Sequence, residues 1–109
     1  MSIQLPPPIV LYVRLENAGE TATLSACFAP NALVRDEGGI YEGLAAITAW
    51  KAETTKKYHQ TVTPLDVAHQ QGKTVLTATR TGDFPGSPIT VHFDCVLEAG
   101  KILSLEIHA

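Results

Sequence analysis

Cysteine and aromatic residues are both scarce in this chain: two cysteines in 109 residues, and 6% Phe, Trp and Tyr. Cys27 and Cys95 lie far apart and outside any CxxC motif, which excludes a disulfide framework and a zinc ribbon. Buried, reduced thiols are expected, and they suit the cytoplasm. Charge of either sign is thin as well, with 8 Lys and Arg against 11 Asp and Glu and a net charge of −3. The basic residues are scattered, so neither a nucleic-acid stripe nor a polybasic membrane patch is expected. No apolar run approaches the roughly 20 residues of a membrane helix. The start, MSIQLPPP, has neither a charged n-region nor an apolar h-region, and no signal peptide is expected. Internal repeats are missing, as is low complexity beyond Pro6 to Pro8.

The chemical motifs that are missing narrow the field further. No glycine-rich loop follows a strand to cradle phosphates, and no GxSxG or Cys/His pairing suggests covalent catalysis. His92 and Asp94 share one strand face, but a metal needs three or four converging ligands, and His59, His69 and His108 lack ligand spacing. No cofactor and no metal is expected.

What the chain does have is a hydrophobic content of 45%, enough over 109 residues for a single domain, 1–109, with one core. The most informative stretch runs from Cys27 to Trp50. Ala29-Pro30-Asn31 reads as a helix breaker. Beyond it Ala32, Val34 and Asp36 alternate with Leu33, Arg35 and Glu37, as in a strand with one buried face. Gly38-Gly39 reads as a hairpin turn, Gly43 closes a short second strand, and Leu44, Ile47 and Trp50 begin an amphipathic helix.

Upstream, Pro6 to Pro8 lead into a helix over Ile9 to Asn17, with Ile9, Tyr12, Val13 and Glu16 along one face and Gly19 past its end. Thr21 to Phe28 reads as a second short helix, and Leu44 to Tyr58 as a third. Lys51, next to Trp50, is expected to be solvated near a pocket rim. Four strands follow: His59 to His69, Thr74 to Thr81, Ile89 to Leu97 and Ile102 to His108. Pro64 marks the first of them as an edge or a bulge. Helices followed by strands imply an α+β fold: three N-terminal helices packed against one cone-shaped, curved, mostly antiparallel sheet. Such a cone leaves a cavity where a small ligand can bind.

Asp36 is the oddity. If Val34 points into the core, so does Asp36, and an isolated carboxylate there needs a partner, a proton or a water-filled pocket. Asp36 is therefore the candidate general base, at the polar end of a pocket lined by Phe28, Val34, Trp50, Tyr58, Val91 and Phe93. Tyr12 is expected within hydrogen-bond reach of it. A small, mainly apolar molecule is the expected ligand, either for proton-transfer catalysis of the isomerase, cyclase or dehydratase type or for binding alone. Phe84, in the Gly82 to Pro88 loop, either tucks against its own sheet or caps the cavity mouth. The weakly charged outer sheet face, with Thr77, Thr79, Thr90 and Val96, suits a homodimer.

The chain also resembles the nuclear-transport-factor-2-like superfamily, in its bacterial SnoaL-like branch. The residues that carry this are Tyr12, Asn17-Ala18-Gly19-Glu20, Phe28-Ala29-Pro30-Asn31-Ala32, Asp36, Tyr41-Glu42-Gly43 with Ala46-Ile47 and Trp50, and Gly100-Lys101-Ile102. The resemblance implies the cone fold and dimers, while the superfold hosts many activities. Set against ketosteroid isomerase, whose Asp base works with a Tyr and a protonated Asp, Asp36 falls on the base and Tyr12 on the oxyanion tyrosine. The third position falls on His92 or Val91, and the alternation of Phe93, Cys95 and Leu97 favours Val91. Valine donates no hydrogen bond, which argues against ketosteroid isomerase activity itself.

Overall fold

The computed structural model describes residues 4–109; the first three residues of the segment read for a signal peptide lie outside the described residues. Helix α1 (Pro7–Ala18) starts on two prolines, whose missing N–H groups cost nothing in a first turn. It ends at Gly19, in the left-handed region at φ 66°, where the N–H groups of Gly19 and Glu20 return to the Glu16 and Leu15 carbonyls. Strand β1 (Phe28–Asp36), β2 (Gly39–Glu42), helix α2 (Gly43–Tyr58) and strands β3 (Thr61–Gln70), β4 (Lys73–Thr81), β5 (Ile89–Glu98) and β6 (Lys101–His108) complete the order.

The six strands form one sheet in the order β2-β1-β6-β5-β4-β3. Every pairing is antiparallel except β1 with β6. Register shifts in β1, at Pro64 in β3 and between Val96 and Leu97 add the local bends that curve a sheet. β3 is an edge strand, so both readings of Pro64 hold. Both helices contribute to the core, which forms between them and the inward strand residues Val34, Leu76, Val91, Phe93, Ile102 and Leu105.

Three expectations need correcting. The described residues form two α-helices rather than three: Thr21 to Phe28 yields only a 3₁₀ turn at Leu24–Ala26. Threonine and serine compete for the backbone in such a short segment, and the Ile102 N–H claims the Cys27 carbonyl while Phe28 pairs with β6. Pro30-Asn31 is not a break before the strand but an exposed bulge within β1, where a proline is tolerated. The hairpin turn sits one residue earlier than expected, at Glu37-Gly38, both at positive φ, with Asp36 and Gly39 as the closing pair.

Gly82 anchors the β4–β5 loop. A Cβ there would meet the Tyr58 carbonyl at 2.8 Å, and the next residue, Asp83, donates its N–H to that carbonyl at 2.7 Å. The loop is thereby docked on the end of α2, which sets Phe84 edge-on to Tyr58 at 5.9 Å.

Candidate active site

Period-2 alternation delivers Asp36 to the inner face with Ala32 and Val34, and it is 8% exposed. The same periodicity on β4 turns Leu76, Ala78 and Arg80 inward, and Arg80 is 7% exposed. Asp36 ends β1 opposite Ile107, while Arg80 lies near the end of β4 opposite Ile89. Both charges therefore occupy the same end of the sheet.

Three clefts open there, one of about 290 Å³ beside the Glu37-Gly38 turn and two that flank Arg80. One of these two, of about 400 Å³, is lined by Asp36, Arg80, Ile89, Val91, Ile107 and His108 among others. The other, of about 370 Å³, is bounded by Tyr58, Gln60, Arg80, Phe84 and Ile89. Arg80, Ile89 and Glu37 belong to both. Phe84 packs on Tyr58 at the end of α2 rather than against its own sheet, and it forms part of a cleft wall.

The partner of Asp36 is Trp50, not Tyr12. The indole Nε1 donates to Oδ2 of Asp36 at 3.1 Å, inside the protein. Trp50 comes from the middle of α2, one turn past Ile47, so the buried helix face aims its indole at the end of β1. Tyr12 is 2% exposed and held edge-on between Phe28 and Phe93, at 5.8 and 5.9 Å. Its hydroxyl has no hydrogen-bond partner among the described residues. Burial, reinforced by the negative charge of Glu16, pushes the phenol pKa well above its ordinary value, so Tyr12 remains a protonated donor.

The interior is also more charged than an apolar pocket with one polar end. Lys51, expected to be solvated, is 1% exposed. Its ammonium donates to Oε2 of Glu16, while the Gln60 amide donates to Oε1 of Glu16 at 2.8 Å. The ammonium also lies over the Trp50 ring, 4.4 Å from its centroid. Desolvation lowers the Lys51 pKa, and Glu16 opposes the shift. The buried face of α2 reaches Lys51 because it lies one turn after Ile47, just as Glu16 lies one turn after Tyr12 on α1. Arg80 stacks over Phe93 at 5.5 Å, and its Nε and Nη2 atoms are buried without a partner among the described residues.

The expected pocket residues therefore divide. Val91 and Tyr58 line the clefts. Phe28, Val34 and Phe93 do not line them but are core residues, at most 1% exposed. Trp50 touches the site through its Nε1 alone; its ring stacks on Tyr41 and borders a separate groove with Ala46 and Ala49. Sequence reasoning missed Arg80, Gln60 and the Glu16–Lys51 pair. The available signal was a charged residue falling on an otherwise apolar face, the same signal that exposed Asp36.

On the outer face, His92 Nδ1 lies 3.0 Å from Thr77 Oγ1, and His108 Nε2 lies 3.0 Å from Asp94 Oδ2. No group of three metal-ligating side chains converges among the described residues. Cys27 and Cys95 are free and buried, and burial pushes their thiols up to about 11 and about 12. No described helix is long and apolar enough to cross a membrane.

The SnoaL-like domain family matches residues 9–104. The chain belongs to that family. It is 34% identical to a proposed polyketide cyclase from Sinorhizobium meliloti, over 95% of both chains, with a TM-score of 0.90. A protein with a ketosteroid isomerase-like fold from Catenulispora acidiphila superposes with a TM-score of 0.84 at 18% identity, over 97% of this chain and 87% of that one. A cystatin-fold protein from Novosphingobium aromaticivorans, 14% identical over 97% of this chain and all of the other, gives 0.74. The last two share the fold alone. No curated protein matches the sequence.

Proposed function

We propose that this SnoaL-like domain binds a small, mainly apolar molecule in the clefts beside Asp36 and catalyses a proton transfer of the isomerase or cyclase type, with Asp36 as general base. The observation that carries the reading is a buried carboxylate held by one indole N–H and bordering a cleft with apolar walls at Ile89, Val91 and Ile107. One neutral donor fixes its orientation and leaves acceptor capacity for a substrate proton. The kinship with a proposed polyketide cyclase supports a substrate whose C–H bond is already acidified by flanking carbonyls. The Tyr12 hydroxyl, protonated and without an acceptor among the described residues, is proposed as the donor to the oxygen that gains charge, which requires the ligand to reach past the cleft wall, since Tyr12 borders neither cleft.

The probe is deuterium exchange at the central carbon of acetylacetone, followed by NMR. The wild-type protein should accelerate exchange over buffer, and Asp36→Asn should lose about 10²–10⁴-fold of that acceleration while keeping its fold. Exchange no faster than in buffer would leave the domain a non-catalytic binding module. That second reading draws on the Trp50–Asp36 bond, which also suffices to hold a purely structural carboxylate. The outer sheet face is proposed as a homodimer contact, to be checked by light scattering at micromolar concentration, where a monomer mass rejects it. The two free thiols fit a reducing compartment such as the cytoplasm.

A further inference from the structure

We infer that Arg80 is the anchor for a carboxylate on the ligand, so that the domain prefers a small organic acid to its neutral counterpart. This names the substrate class of the site proposed above, although carboxylate binding itself does not require Asp36 to be catalytic. Among the described residues the interior holds two cations and two anions, Lys51, Arg80, Glu16 and Asp36, and they are not paired off evenly. Lys51 has Glu16, and Glu16 also has Gln60. Asp36 has the Trp50 indole. Arg80 has the face of Phe93 and no hydrogen-bonded acceptor among the described residues for Nε or Nη2.

A guanidinium keeps its charge throughout the range in which proteins work, so it cannot escape burial by losing a proton. Leaving it without an acceptor costs stability, and a chain gains nothing in return unless an acceptor arrives. The orphaned atoms are also the informative ones. Nε–H and Nη2–H share one edge of the planar guanidinium, and that edge is the fork a carboxylate spans with two parallel hydrogen bonds. Water or a single carbonyl oxygen answers only half of it.

The position of Arg80 supplies the route. It is the residue, with Glu37 and Ile89, that borders both clefts, of about 370 and 400 Å³. The fork is buried in this structure, so a ligand engages it only when the Arg80 side chain turns toward one of the clefts that it borders. Glu37 is exposed and sits at the positive-φ turn, so it rims the clefts without answering the fork. A bound acid anchored at Arg80 places its apolar body against Ile89, Val91 and Ile107, with Asp36 on the same cleft wall. The Arg80 charge then offsets the repulsion between Asp36 and the ligand's own carboxylate.

The test compares benzoate with benzamide, which match in shape and differ in charge, by NMR titration of the ¹⁵N-labelled protein. Benzoate should bind saturably, about tenfold or more tighter than benzamide, and shift the Arg80 Nε resonance. Arg80→Met should abolish the preference, and Arg80→Lys, which keeps the charge but not the fork, should retain only part of it. Equal binding of the two probes, binding of neither, or a preference that survives Arg80→Met overturns the assignment. The wild-type comparison stands even if a variant fails to fold. Asp36→Asn separates this inference from the proposed reaction: with the like charge beside the ligand removed, it should keep or raise the benzoate preference while losing proton exchange. Loss of the preference with exchange intact would reject the anchor and spare the catalytic reading.

Discussion

Glu16 and Arg80 are both charged, both nearly inaccessible and both enclosed by the same sheet, yet their surroundings are opposite. Glu16 has a cation on one oxygen and an amide on the other. Arg80 has an aromatic face and unanswered N–H groups. A closed network of that kind rigidifies an interior, whereas an open one marks a place where a partner is missing from the chain itself. The difference assigns the Glu16–Lys51–Gln60 cluster to the scaffold that clamps α1 to α2 and the start of β3. It assigns the Arg80 and Asp36 end to the site.

The largest effect should come from breaking the closed cluster. Lys51→Met leaves the Glu16 carboxylate buried with only Gln60, and should cost roughly 3–5 kcal/mol in urea denaturation. Adding Glu16→Leu should recover most of the loss, because two apolar side chains no longer demand partners. The remainder, about 1–3 kcal/mol, belongs to the Gln60 amide left without its acceptor. A single variant as stable as wild type would show that the pair is not clamping the interior. Arg80→Met should behave differently. It removes a charge that has no acceptor to strand, so stability should stay within about 1 kcal/mol of wild type or rise, the lost stacking on Phe93 being the opposing term. A loss as large as that of Lys51→Met would mean that Arg80 is also part of the scaffold.

This contrast explains what could be read from the chain and what could not. Asp36 was legible because Ala32, Val34 and Asp36 repeat at a spacing of two, and the structure buries all three. Val91 rather than His92 faces inward by the same rule. Arg80 obeys it too, after Leu76 and Ala78, but an arginine near a strand end reads as solvated unless its neighbours across the sheet are known. The bonds that define the interior join residues far apart in sequence, Trp50 to Asp36 and Lys51 to Glu16, and no local period encodes them. The false helix at Thr21 to Phe28 has the same origin. Its spacing of Leu24, Cys27 and Phe28 is helical, but the parallel pairing of Phe28 with Ile102, about 70 residues on, decides the backbone. The fold class followed from local patterns plus family resemblance; the site's charge arrangement depended on tertiary partners.

The smallest effect lies on the outer face, where an ion pair of ordinary chemistry meets solvent. Asp94 sits at Oδ2···Nε2 3.0 Å from His108, whose side chain is 47% exposed. That hydrogen bond is the main cause of a raised His108 pKa. A raised value means that the folded protein holds the proton more tightly than the unfolded chain. The stabilisation is therefore complete below the unfolded value of about 6.5 and fades as pH rises through the higher folded one. Solvent screening should keep the change small and weaken it further in salt, in contrast to the buried Glu16–Lys51 pair. An NMR titration of the His108 ring protons should give a midpoint above that of a free histidine, falling back in Asp94→Asn. A midpoint unmoved by Asp94→Asn would mean that the carboxylate is not what holds the proton, and the outer face would then contribute no pH dependence through this pair.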